Sequence, residues 1–460
     1  MRHVSHRLLV GLVGLFVFAT SASAHQIQAS RFAAPVPLAY LYAGAAVTVL
    51  VTAVASARLV SDAATRERTR TLLETRETTV LVALVQLLAV AGFALLLYRG
   101  VVGRQVRASN VATLVTWALA FDGLALVAAA LGSPWRAIAP WNAVYDWLCR
   151  LEGRTLALVE RDIPRLGGWP ALVGFLLVVG VLENLSVLPE SPSKTAALLA
   201  GYALWMLGGL LLVGPAWREH ADPIGVFLAL IERVAPVFVH CDGGRLRATL
   251  RAPWAACARP VSSLGRVAFV VAAVYTISFD GFTSTAAFRA LLFWTHDALG
   301  VPYGGVGIAL YLVGLLAFLV AFALTAALVE RLGEGGGTNV AAAARRIAPS
   351  VLPIAVAYEF AHYGTYVVTS AARVLELALG GVGTQASFAP LAWLSVPTYW
   401  GFEVVVIVLG HVVAVVAAHY ATLARYDDRT RAWRAHAPLV ALMVAYTVLS
   451  LWIVSQPVVM

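Results

Sequence analysis

The segment YEFAHYGTY carries the densest chemistry in an apolar chain. Glu359 and His362 stand three residues apart and so share one face of a helix. Glu-x-x-His is the pair that four-helix metal sites present from each of two helices, although two residues make a weak motif. Tyr358 and Tyr366 each lie four residues from His362 and could hydrogen-bond its ring. A second run, GHVVAVVAAH, places His411 and His419 eight residues apart. On a straight helix that is about 12 Å along the axis and about 80° around it, too far to share one ion. His411 and His362 both fall near the middle of their apolar segments and can meet, whereas His419 lies nearer an arginine-rich end. Asp280 sits in SFDGF, where Gly281 leaves the backbone free to turn. Asp122, Glu183 and Glu403 complete the ionisable groups within apolar segments.

Such a group at the bilayer centre costs about 2.5–3.5 kcal/mol on insertion scales, so it usually faces a polar interior. Three readings stay open for an outward-opening cavity lined by Asp280, Glu183, Glu403, His362 and His411. The first is a structural network of helix–helix hydrogen bonds. The second is a metal-assisted or general acid–base site. In it Asp280 and Glu359 are the working carboxyls, and His362, His411 and Asp280 hold a divalent ion such as zinc. The third is a proton or ion pathway in which Asp122, Glu183 and Asp280 exchange protons in sequence. His240-Cys241-Asp242 could add ligands with Cys257, but their spacing is poor.

These residues need helices in lipid to position them. Of 460 residues, 60% are apolar and 12% charged, against roughly 25% charged in soluble domains. The mean hydropathy of +0.82 agrees. Lys194 is the single lysine, which excludes a phosphate-loop lysine and disfavours Schiff-base chemistry. Residues 1–24 have the form of a secretory signal: Arg2 and Arg7, an apolar run from Leu8 to Phe18, and Ala22-Ser23-Ala24 before the cut. Cleavage leaves 25–460 as one multi-span membrane domain beginning at His25, whose amine and imidazole could chelate copper.

The expected fold is all-α, a bundle of ten spans at 38–60, 78–98, 111–131, 168–188, 196–216, 265–282, 304–329, 349–371, 398–424 and 437–456, with interfacial helices. With the mature N-terminus outside, the odd-numbered linkers carry 24 arginines and the outer segments seven basic residues. The positive-inside rule then puts both termini outside the cell membrane, and the net charge of +9 reads as lipid anchoring, not as a nucleic-acid footprint. Cys149, Cys241 and Cys257 all fall in the cytoplasmic linkers, where thiols stay reduced. Within those linkers, Trp135, Trp141 and Trp147 suggest a helix at headgroup level, and 222–238 an interfacial or re-entrant helix. The outer segment 286–299 reads as a surface helix, and GEGGG at 333–337 as a hinge.

HQIQASRFAAPVPLAYLYAGAAVTV, GSPWRAIAPW, AWREHADPIGVFLALIERVAPVF, TISFDGFTS, APSVLPIAVAYEFAHY, GHVVAVVAAHYATLARY and the closing WIVSQ occur here in that order. They resemble a polytopic membrane family commonly labelled fenitrothion hydrolase. The resemblance implies hydrolysis of an organophosphate triester by a membrane protein, with a small apolar substrate entering from lipid. It also implies that Asp280, His362, His411 and His419 are shared positions, Glu359 being less typical. A divalent metal at such a site would activate water and stabilise charge on the phosphoryl oxygen. A proton-coupled transporter, or a copper-handling or assembly subunit of an envelope complex, is the alternative. A second subunit or an oligomer is compatible with any of these.

Overall fold

The structure, a computed structural model, describes residues 37–59, 69–75, 78–159, 166–242, 245–334, 339–381, 383–426 and 428–456. The expected signal segment, His25 and most of the GEGGG hinge fall outside the described residues.

The chain is all-α apart from one small sheet. In order, α1 is Leu38–Leu59, β1 Arg70–Thr75 and α2 Thr79–Val102; α3 is Val111–Leu131, α4 Pro140–Glu152 and α5 Trp169–Glu183. Then come α6 Pro192–Val213, α7 Pro223–Ile231, β2 Val237–Asp242 and β3 Arg245–Leu250. The second half comprises α8 Leu264–Thr283, α9 Ala286–Leu299, α10 Tyr303–Glu334, α11 Val340–Ile347, α12 Leu352–Gly381, α13 Val396–Leu423 and α14 Arg429–Val454. Polar residues just ahead of the apolar runs cap them. Ser263 accepts from Arg266 N at 3.2 Å, Thr285 from Phe288 N at 3.1 Å and Ser395 from Thr398 N at 3.3 Å.

Nine helices among the described residues are long and apolar enough to cross a membrane; α5, at 15 residues, is shorter. Pairing between loops decides how α5 must be counted. β1, in the loop after α1, pairs antiparallel with β3, in the loop before α8, and β3 pairs with β2. Both loops therefore lie on one face, which requires an even number of crossings between them. Crossing by α5 along with α2, α3 and α6 satisfies that parity, in keeping with the ten-span expectation.

Other contacts fit that alternation. On the face with the sheet, Arg429 at the start of α14 donates to the carbonyl of Ala57, and Val261 N donates to Arg345 O. On the opposite face Arg107 pairs with Glu190, Arg373 donates to Ala108 O, and Tyr42 hydrogen-bonds Ser455. The described start and end of the chain thus share the face opposite the arginine-rich loops.

The sheet was not anticipated, and two loop helices pack into the bundle. Trp141 and Tyr145 of α4 are buried against α2 and α6, and the Trp141 ring packs on those of Phe93 and Tyr202. α7 packs into the bundle: Phe227 is fully buried, with ring centroids 5.4 Å from both Phe121 of α3 and Phe175 of α5. The helix at 286–299 is present as α9, with Phe288 and Leu292 turned inward. α8 and α12 are the most enclosed of the long helices. Those two carry most of the candidate site.

Candidate functional site

Asp280 lies one turn before the end of α8, and His362 and Tyr363 lie on α12. Asp280 Oδ2 is 2.8 Å from His362 Nε2 and accepts a 2.8 Å hydrogen bond from the Tyr363 hydroxyl. The two helices approach closely there because Gly281 has no side chain: a Cβ at that position would stand 2.4 Å from the Tyr358 hydroxyl. Gly281 therefore serves close packing inside a continuous helix and not the turn expected of it. Asp280 and His362 remain partly accessible, with side chains 20% and 13% exposed.

Three further carboxyls surround this pair. Asp122, Glu183 and Glu359 are buried, and both carboxyl oxygens of each make no hydrogen bond among the described residues. Every pair among Asp122, Glu183, Asp280 and Glu359 lies within electrostatic range. They come from four different helices, so the cluster is a product of the bundle.

Local backbone form helps aim them. Leu114–Gly123 of α3 and Leu176–Glu183 of α5 are π-helical, and each stretch carries its acid at or next to its end. One extra residue in a turn rotates the rest of the helix by about 100° relative to an unbroken α-helix. That rotation lets an apolar helix direct a single carboxyl inward. Trp117, within the first stretch, is held by a 3.1 Å bond to Thr195 of α6. Below, Phe121, Phe227, Phe175 and Phe269 form an aromatic floor.

Arg107 closes the cluster on the side away from the arginine-rich loops. It pairs with Glu190, donates to the Tyr366 hydroxyl at 3.0 Å, and lies within electrostatic range of Asp122 and Glu183. Four carboxyls thus face one arginine, itself shared with Glu190, and one imidazole. The negative excess must be neutralised by protons or by a bound cation.

The remaining candidates lie elsewhere. His411 is fully buried, with Nδ1 2.8 Å from Ile407 O and its ring 5.8 Å from that of Tyr446. Tyr446 in turn hydrogen-bonds Ser278, two residues before Asp280. Glu403 faces Tyr358 and Tyr399 and is not one of the mutually interacting four. Of the tyrosines expected to bond His362, Tyr358 only packs near its ring, at 5.9 Å, and Tyr366 turns to Arg107. Tyr363 makes the contact with Asp280 instead. Its place beside His362 in the sequence was the only signal.

The expected zinc site is overturned. Among the described residues no three His, Cys, Asp or Glu side chains are grouped so as to hold a metal ion. His362 is engaged by Asp280, His411 is turned to a backbone carbonyl one helical turn away, and Glu359 sits with the carboxyls. The His240-Cys241-Asp242 alternative fares no better, since Cys241 is exposed on β2 beside Thr78 while Cys257 is buried. Burial pushes the Cys257 thiol up to about 12, so it is held as an unreactive thiol.

An apolar cavity of about 210 Å³ opens between α8, α10, α12 and α14, lined by residues including Val274, Phe318, Phe322, Leu442 and Tyr446. None of the four carboxyl residues lines it. The chain matches no protein-family model, no curated protein and no solved structure. The likeness to the fenitrothion hydrolase family therefore rests on the quoted motifs alone.

Proposed function

We propose that this polytopic membrane protein moves protons, as part of a proton-coupled transporter or permease, through the cluster of Asp122, Glu183, Asp280 and Glu359. One observation carries the reading: four carboxyls from four helices interact with one another, and three of them have no hydrogen-bond partner among the described residues. A structural network would satisfy its members, because an unsatisfied buried polar group costs about 1–3 kcal/mol. Groups that must bind and release a proton need open lone pairs. Asp280, joined to His362 and Tyr363 and partly accessible, is the entry member. Arg107 with Glu190 guards the approach. The positive-inside rule takes the arginine-rich face as cytoplasmic, so entry is from outside.

The test uses purified protein in liposomes loaded with a pH-sensitive dye. An imposed pH gradient should acidify or alkalise the lumen faster than in protein-free vesicles, and Asp280→Asn should lower that rate by roughly a hundredfold. Wild-type vesicles indistinguishable from empty ones would end the proposal.

A second reading, organophosphate hydrolysis, is favoured by the Asp280–His362 hydrogen bond. A carboxylate that orients an imidazole can make it a general base towards water, without a metal. The family resemblance supports the same reading. Release of nitrophenol from a triester by purified protein, lost in His362→Ala, would favour it over translocation.

A further inference from the structure

A second polar site lies on the seam between α13 and α14, towards the arginine-rich face. His419 and His436 are both buried, at 3% and 0% exposure, with ring centroids 5.2 Å apart. None of their four ring nitrogens makes a hydrogen bond among the described residues. The Val415 carbonyl faces the His436 ring, but not in hydrogen-bonding geometry. A neutral imidazole has one donor and one acceptor, and at this separation rotation of either ring brings the two within hydrogen-bonding reach. Two enclosed rings whose nitrogens make no hydrogen bond among the described residues form a pair that can take up and pass on a single proton.

The pair is aligned with the carboxyl cluster. α13 and α14 run antiparallel, and His411 beside Tyr446 and His419 beside His436 are two contacts along their common seam. They stand eight residues apart on α13 and ten on α14, which is about 12 to 15 Å along the seam. At the upper contact Tyr446 bonds Ser278 of α8, and Tyr358 connects electrostatically to both Tyr446 and Asp280. Between the contacts the seam holds Val415, Leu439 and Met443, all buried. A proton passing between the two contacts therefore has to cross an apolar interruption.

The charged surroundings suit release at this end. Arg429 at the start of α14 is within electrostatic range of His419 and reaches to the carbonyls of Ala57 and Arg58 on α1. On the α10 and α11 side, Glu330, Arg346 and Arg425 gather around Tyr426. α8 and the start of α12 bring no other charged group into this interaction set. The local excess of arginine favours departure of a proton towards the loops.

We propose that His419 and His436 are the proton-release pair of the pathway, separated from the carboxyl cluster by an apolar gate at Val415, Leu439 and Met443. The proposal rests on the proton-translocation reading above. One imidazole nitrogen takes a proton, the partner ring accepts it, and it leaves to water at the arginine-rich face; no electron or heavier group moves.

The experiment is the same dye-loaded liposome assay with His419→Gln, His436→Gln and His436→Ala, at equal amounts of inserted protein eluting in the wild-type position. Each variant should reduce flux roughly tenfold to a hundredfold, and added imidazole should restore flux in His436→Ala but not in Asp280→Asn. Flux within about twofold of wild type in both Gln variants would overturn the pair while leaving the carboxyl pathway standing. Loss that imidazole does not restore would assign the pair a structural role and also overturn it. Absent wild-type flux removes both proposals together.

Discussion

Asp222 and the carboxyl cluster are both deeply buried acids, and they are built in opposite ways. At Asp222, the N-cap of α7, Oδ1 accepts from the Tyr202 hydroxyl at 2.5 Å and from Gly225 N at 2.8 Å, and Oδ2 accepts from the Trp135 indole at 2.9 Å. One carboxyl thus ties α6, the Trp135 helix and α7 into a single corner. Burial raises this carboxyl above its ordinary range, and those hydrogen bonds pull it back. Asp122, Glu183 and Glu359 are as enclosed and have none of this. Burial alone therefore does not distinguish an anchor from a working group. The occupancy of the lone pairs separates Asp222 from Asp122, Glu183 and Glu359, and the proposed proton pathway draws on that difference.

Substitutions can break that contrast. The largest stability effect should come from Asp222→Ala, which strands three donors and frees the start of α7; a loss of about 3 kcal/mol or more is expected in unfolding of the detergent-solubilised protein. A loss near zero would show that the corner is held by packing. Trp135→Phe removes one of the three bonds while keeping most of the ring, so it should cost about 1 kcal/mol in the same assay.

Asp122→Asn and Glu359→Gln remove no hydrogen bond and reduce repulsion, so stability should move by less than about 0.5 kcal/mol or rise, while proton flux falls. If either variant loses as much stability as Asp222→Ala, the cluster is an anchor too.

The smallest effect concerns a half-buried carboxyl that is satisfied. Glu376 lies below the usual carboxylate range because it accepts from Phe388 N, at 2.7 Å, and from Arg373, at 2.8 Å. Its folded value is the lower one, so the stabilisation is fully present above about pH 4.3 and is lost as pH falls through the folded value. Hydrogen exchange at the Phe388 amide should speed up only in that acidic window. Exchange independent of pH, after correction for the intrinsic rate, would mean the contact does not hold the segment.

Much of the fold was legible because lipid imposes it. Each spanning helix must satisfy its own backbone and present apolar side chains, so length and hydropathy mark the segments directly. The apolar run in α5 and the concentration of arginine in alternate loops are of this kind. The Asp-Pro at 222–223 carried an unused signal, an N-cap followed by proline at the first helical position. β1 and β3 were not legible: they lie about 170 residues apart in the chain, and each is an ordinary charged loop until paired.

At the candidate site the sequence alone determined the inventory. Asp122, Glu183, Asp280, Glu359, His362 and His411 stand out because an ionisable group is expensive among apolar neighbours, and that expense is visible residue by residue. Which of them meet was decided only by the tertiary structure. Helical spacing joined Glu359 to His362, but two π-helical stretches and a glycine contact between α8 and α12 set the actual partners. They brought Asp280 to His362 and grouped Glu359 with the other acids, leaving no metal-binding trio among the described residues. A side chain's cost depends on its own segment, whereas its partner depends on how several helices rotate and pack together, and no single segment carries that information.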